Sequence, residues 1–279
     1  MTSGSLDEAN EVIQRLILKQ PLNERERDFL RTSRSLGGAH PKMLIDIDGE
    51  EWLAKFPKGD PVDLPLVEHS SMELARELGI RTPDSRCQRI PTGHIVMTRR
   101  FDRTEGRRFH ALSARTMLLE SGESYGALAA VIRAVSPPDL VAPRRKEIFR
   151  RMVFNMLIDN TDDHSKNHAL IRLPSGYFDL APAYDILPQM SGLGRQAMPI
   201  SCGRSEDDFA TAIAECSQFG MRKDEAIEEW RRIARGVSGW KEIFSGVGVS
   251  GVDIDYLSGF LDSEDKLAMR RCGDVSRGL

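Results

Sequence analysis

Acidic and amide side chains crowd one stretch of this chain. Residues 158–168 read Ile-Asp-Asn-Thr-Asp-Asp-His-Ser-Lys-Asn-His, and a further acid, Asp185, follows in the segment Ala183-Tyr184-Asp185-Ile186-Leu187. Phosphoryl transfer needs such a set. One carboxylate accepts the proton of an attacking hydroxyl, a neutral amide oxygen reaches magnesium, and a second carboxylate binds metal among the phosphate oxygens. On that chemistry Asp162 is the candidate base, and Asn167 and Asp185 are the candidate metal ligands.

These residues must be held by ordered elements, and the flanking pattern supplies them. Phe149, Met152, Val153, Phe154, Met156 and Leu157 recur at helical spacing, so a buried helix over residues 143–158 delivers the polar loop. Downstream, 168–173 and 177–180 read as two strands around a Pro174-Ser175-Gly176 turn. Protein kinases likewise carry a base Asp and a metal-binding Asn five residues apart on one loop, with a metal Asp after a short hairpin. Asp162, Asn167 and Asp185 keep that spacing, although His-Arg-Asp and Asp-Phe-Gly are both absent around them.

The first third of the chain reads differently. Residues 6–31 are helical, with Val12, Leu16 and Ile17 on one face, an interruption at Pro21 and a cap at Asn23. A small-residue stretch, Gly37-Gly38-Ala39, then lets backbone N–H groups approach phosphates closely. Met43–Ile47 and Trp52–Phe56 flank Asp48-Gly49, the signature of a tight hairpin. Its second strand carries Lys55, where a kinase holds its phosphate-binding lysine. An amphipathic helix over 65–78 follows with Val67, Leu74 and Leu78 inward, offering Glu68, Glu73 and Glu77 as partners for Lys55. Strands are expected at 86–90 and 94–99. Beyond them helices are expected at 112–120, 125–135, 143–158, 207–219, 223–235 and 253–271. Strand-rich sequence followed by helix-rich sequence predicts an α+β, two-lobed fold.

Taken together, Asn160-Thr161-Asp162-Asp163-His164, Lys166-Asn167-His168, Ala181-Pro182-Ala183-Tyr184-Asp185 and Ser35-Leu36-Gly37-Gly38-Ala39-His40-Pro41-Lys42 resemble the HipA-like serine/threonine kinases of bacterial toxin-antitoxin modules. The resemblance covers about residues 30–235. It implies a protein-kinase-like fold with a helical lead-in at 1–31, a β-rich lobe at 32–101 and a helical lobe at 102–279. It implies ATP and Mg2+ as cofactors, with Gly37, Gly38, Ala39 and Lys55 on the nucleotide phosphates and Arg99 and Phe101 in the stretch facing adenine. It favours Glu68 as the partner of Lys55, His164 as a supporting side chain, and autophosphorylation at Ser33 or Ser35. The implied substrate is a protein, such as an aminoacyl-tRNA synthetase. Longer family members carry more chain ahead of the Gly-rich stretch than residues 1–31, so the resemblance is to the short forms. The implied partners are then a helix-turn-helix antitoxin and a small third subunit.

Composition bounds the rest. The 279 residues are 40% hydrophobic and 29% charged, with a net charge of −3, so no global basic field marks direct nucleic-acid binding. Four cysteines without paired spacing suit a reducing cytoplasm, and no apolar run approaches a membrane span. Two rival readings use the same residues. Asp162, Asp163, His164 and His168 could line a metal-dependent phosphohydrolase site. A silenced kinase fold could act as the regulatory partner of a DNA-binding antitoxin, but Lys55, Asp162, Asn167 and Asp185 are all present.

Overall fold

The structure, a computed structural model, describes residues 3–32, 40–104, 106–119, 122–190, 196–203 and 207–272, excluding the side chains of 3–5 and 31–32. Two compact units emerge: residues 1–69 with 83–108, and residues 70–82 with 109–279. The division falls inside one helix.

In the first unit, helix α1 (Ser3–Ile17) buries Leu6, Ala9 and Ile13 against sheet residues Met43, Ile45, Trp52, Ala54, Phe56, Ile95 and Met97. Of the face expected from the sequence, Val12 is buried, but Leu16 is 49% exposed. The stripe meeting the sheet runs through positions 6, 9, 13 and 17, and Leu16 lies to one side of it. Helix α2 (Glu24–Thr32) starts with a capping box, in which Asn23 Oδ1 accepts from the Glu26 N–H at 2.9 Å and Glu26 Oε2 accepts from the Asn23 N–H at 2.8 Å. Strands β1 (Lys42–Ile47) and β2 (Glu50–Lys55) form the expected hairpin. Asp48 and Gly49 have φ of 55° and 82°, the left-handed pair a two-residue hairpin turn requires. Helix α3 (Leu64–Glu77) buries Val67 and Leu74. Strands β3 (Ser85–Ile90) and β4 (Gly93–Arg99) complete an antiparallel sheet of order β1-β2-β4-β3, and β5 (Arg103–Thr104) pairs with β6 (Arg107–Arg108).

In the second unit, β7 (Ala111–Ser113) occupies the start of the segment expected to be helical from Leu112. Its backbone pairs with the strand that follows the polar loop, and Ser113 then caps a single turn, α4 (Ala114–Met117). Helix α5 (Tyr125–Val135) is capped by Ser124. The central helix α6 (Pro138–Leu157) begins five residues before the expected Pro143. Pro138 suits the first helical position, and Pro143 has a ring-fixed φ that is already helical, so the helix runs through it. The expected hairpin is present as β8 (Ala169–Arg172) and β9 (Phe178–Leu180), giving a sheet of order β7-β8-β9.

Helices α7 (Phe209–Ala214), α8 (Lys223–Ser238), α9 (Trp240–Val247), α10 (Gly251–Leu261) and α11 (Glu264–Arg271) complete the unit. The helix expected over 253–271 is therefore two. At the break, the Asp262 carboxylate accepts from Trp240 Nε1 at 3.0 Å and from Arg270 Nη1 at 2.9 Å, tertiary bonds that local propensity does not encode. Phe149, Met152, Val153, Phe154, Met156 and Leu157 are all at most 1% exposed, so α6 is the buried spine that the loop grows from. Among the described residues no helix is long and apolar enough to cross a membrane.

Candidate active site

Helix α6 ends at Leu157, and the chain turns sharply through Asp159, whose φ is 60°. A left-handed residue other than glycine costs about 1–2 kcal/mol, and here it is held from both sides. The Asp159 carboxylate pairs with Lys266 at 3.0 Å, and the Asn160 N–H returns to the Asn155 carbonyl at 2.9 Å. The loop then presents Asp162 to solvent, with no hydrogen bond or ion pair to its carboxylate among the described residues.

Asn167 closes a short 3-10 turn over Ser165–Asn167, with its N–H on the His164 carbonyl at 2.8 Å. Its side-chain nitrogen donates to the Asp162 carbonyl at 3.5 Å, and among the described residues no donor reaches its amide oxygen, the atom a cation would take. Asp185 is also exposed and left-handed, at φ 60°. Two tethers bracket it: the Tyr184 hydroxyl donates to the Lys166 carbonyl at 2.8 Å, and the Gln189 N–H donates to the Asp159 carbonyl at 2.9 Å. The three residues expected to do chemistry thus belong to one stitched assembly. Both tethers end on backbone carbonyls, which the sequence does not reveal. Burial, followed by the nearby charge of Asp185, holds the Tyr184 hydroxyl well above the usual phenol range, so it remains a donor.

Beneath this surface lies a layer of buried charge. Asp163 accepts from Tyr125, from Asn155 at 2.8 Å and from His168 at 2.9 Å. Burial pushes its carboxyl up, but the charge and hydrogen bond of His168 and the Tyr125 hydroxyl outweigh this and hold it below the usual carboxylate range. His164, expected to support the loop, contributes its backbone carbonyl, and its Nδ1 has no partner among the described residues. The imidazole paired with the loop's buried acid belongs to His168.

A second buried cluster fixes the chain ahead of Asp185. Arg151, 2% exposed, donates to Glu147 and to the Ala181 carbonyl at 2.6 Å; Glu147 accepts from Arg81 at 2.8 Å, and Arg144 holds Asp179 at 2.6 Å. The sequence marks Arg144 only as part of a basic patch open to phosphate or a partner; here it is held by Asp179. For Glu147 and Arg151 the signal is an acid and a base four apart on α6, with Ile148, Phe149, Met152 and Val153 around them.

In the first unit, Lys55 meets Glu68 at 2.6 Å, with the two side chains 15% and 7% exposed. Glu73 is engaged by Arg76, three residues on along the same helix. Arg99 lies between Glu50 at 2.8 Å and Asp84 at 3.1 Å, and its N–H donates to the Asp84 carbonyl. Phe101 is half-buried. Gly37, Gly38, Ala39, Ser33 and Ser35 lie outside the described residues.

The donor set suits magnesium, because an amide oxygen and a carboxylate are the hard oxygen ligands it takes alongside substrate phosphates. It does not suit a histidine-rich metal cage. His168 Nε2 is committed to Asp163, and among the described residues no three His, Cys, Asp or Glu side chains are grouped to hold a metal.

Comparison with known proteins gives the family and the fold. The family model described as HipA-like C-terminal domain matches residues 34–240. A provisionally named kinase of Haemophilus influenzae is 24% identical over 217 residues, covering 67% of this chain and 63% of the relative. The similarly named Y4dM of Sinorhizobium fredii is 27% identical over 199 residues, covering 61% of this chain and 47% of the relative. The chain thus spans 63% and 47% of the lengths of these two curated relatives. Among solved structures, HipA of Shewanella oneidensis MR-1, determined with HipB and its operator DNA, superposes with a TM-score of 0.67 at 21% identity, covering 94% of this chain and 70% of that one. The Helicobacter pylori proinflammatory kinase CtkA gives 0.62 at 16% identity, covering 86% and 92% respectively. At these identities the likeness carries the fold.

Proposed function

The chain belongs to the HipA-like C-terminal domain family, and from that premise we propose that it is an ATP-dependent serine/threonine protein kinase. The observation that supports the reading is the set of hydrogen bonds tying the loop of Asp162 and Asn167 to the segment that carries Asp185. Asp162, exposed and with no partner to its carboxylate among the described residues, orients a substrate hydroxyl and takes its proton. Asn167 and Asp185 hold magnesium, whose charge, when bound, offsets that of the phosphate oxygens. Lys55, steadied by Glu68, takes α- and β-phosphate oxygens, with Gly37, Gly38 and Ala39 covering them and Arg99 to Phe101 near adenine.

By family analogy, the chain acts as the growth-inhibiting toxin of a toxin-antitoxin module in the cytoplasm. A helix-turn-helix antitoxin and a small third subunit are its partners, and a translation protein such as an aminoacyl-tRNA synthetase is its substrate. The Shewanella HipA was determined with HipB and operator DNA, which supports an antitoxin partner. Autophosphorylation at Ser33 or Ser35 adds about 2 negative charges beside the bound triphosphate and lowers activity. Incubation with Mg-ATP and labelled lysate, followed by mass spectrometry, tests these points. Phosphate on Ser33 or Ser35 and on protein substrates is expected. Stoichiometric ATP binding with no phosphate transferred to any protein overturns the kinase reading.

A further inference from the structure

Two adjacent aspartates in the loop have opposite surroundings. Asp162 faces solvent, while Asp163 is 3% exposed and receives three hydrogen bonds on a single oxygen, Oδ2. The donors come from three directions. Tyr125 belongs to α5, Asn155 to α6, and His168 follows Asn167 directly at the mouth of β8. All three are at most 4% exposed, and the rings of Tyr125 and His168 meet edge to face at 5.7 Å.

We infer that the Asp163–His168 pair is the positioning clamp of the phosphotransfer loop. Its two ends are the immediate neighbours of the proposed base and of the proposed metal amide, and closing it at 2.9 Å fixes the span between Asp162 and Asn167. Asn167 adds a parallel cross-brace by donating to the Asp162 carbonyl. Tyr125 and Asn155 then bolt the clamp to two buried helices, so the loop inherits the rigidity of the helical core. A carboxylate suits the post because it accepts several donors at once, and buried bonds to a charged acceptor are stronger than neutral ones. Neither member touches substrate in this scheme; both act through the residues beside them.

The inference rests on the kinase reading for its consequence and on the fold alone for its geometry, and the two are tested separately. Asp163→Asn keeps the shape but replaces the charged acceptor by a neutral one, weakening all three bonds. His168→Leu removes one jaw, and His168→Gln supplies a neutral N–H of comparable reach. Hydrogen exchange of residues 160–168 in metal-free, nucleotide-free protein reads the clamp without any reaction. Faster exchange is expected in Asp163→Asn and His168→Leu, and near-native protection in His168→Gln.

With Mn2+ as the probe, paramagnetic resonance in the presence of a non-hydrolysable ATP analogue is expected to show metal affinity about 10- to 100-fold weaker in the first two variants, the usual effect of losing a partner that orients a metal ligand. The kcat is expected to fall by a similar factor, with the KM for ATP within about 3-fold of native, and His168→Gln is expected to recover most of both losses. Should Asp163→Asn fail to fold, Tyr125→Phe removes a single donor and is expected to shift the same readouts in the same direction. Native protection and native Mn2+ affinity in both Asp163→Asn and His168→Leu overturn the clamp. Loosened exchange in these variants, with no phosphotransfer by the native protein, supports the clamp and overturns the kinase reading.

Discussion

Asp162→Asn should separate function from stability. The side chain is exposed and its carboxylate makes no hydrogen bond or ion pair among the described residues; only its backbone carbonyl is used, by Asn167. An isosteric amide leaves that carbonyl in place, so unfolding free energy should move by no more than about 0.5 kcal/mol. The reaction should respond quite differently. Removing a positioned general base costs about 100- to 10,000-fold, which is about 2.7 to 5.4 kcal/mol of barrier at 1.36 kcal/mol per tenfold. Urea denaturation and transfer of labelled γ-phosphate, measured on the same preparation with nucleotide binding followed by calorimetry, give both numbers. Full phosphotransfer with native ATP affinity would falsify the base assignment. A large stability loss would refute the view that Asp162 is structurally free.

Further outcomes follow from the same physics. Lys55→Met and Glu68→Gln, combined in a double-mutant cycle, should show coupling of about 1.5 to 3 kcal/mol in unfolding, because the pair is largely buried and each partner is costly to leave alone; coupling below about 0.3 kcal/mol would count against it. The carboxyls of Asp163, Glu147 and Glu229 are all held below their ordinary values of 3.8, 4.5 and 4.5 by cationic and hydrogen-bonding partners that outweigh burial. Their folded values lie below their unfolded ones, so the stability they supply is present at neutral pH. It is lost as pH falls below about 4.5 and through those depressed values. Denaturant midpoints that stay level from neutral down to about pH 3 would contradict this. Burial, then Asp63 and Glu68, pushes the Cys87 thiol up to about 12, while Cys202 and Cys272 are exposed. Iodoacetamide on the native protein should therefore label Cys202 and Cys272 and spare Cys87, as peptide mass spectrometry would show.

Much of the site was legible before any coordinates, for a physical reason. The residue types phosphoryl transfer needs are chemically dictated and their spacing is a property of the chain, so Asp162 and Asn167 on one loop and Asp185 beyond the hairpin stand out as candidates in a linear reading. Local signals also sufficed for the β1–β2 hairpin, whose Asp48-Gly49 turn demands left-handed backbone, and for α6, whose apolar run has no alternative to burial. Tertiary structure decided what local sequence could not: strand pairing at Leu112 where propensity favoured helix, the split between α10 and α11 at Asp262, and the choice of Glu68 over Glu73 beside Lys55. It also decided which of two neighbouring aspartates faces water. Asp162 and Asp163 are the same residue type one position apart, and no propensity distinguishes them. Only the convergence of Tyr125, Asn155 and His168, from segments far apart in the chain, makes one a buried anchor and leaves the other free to react.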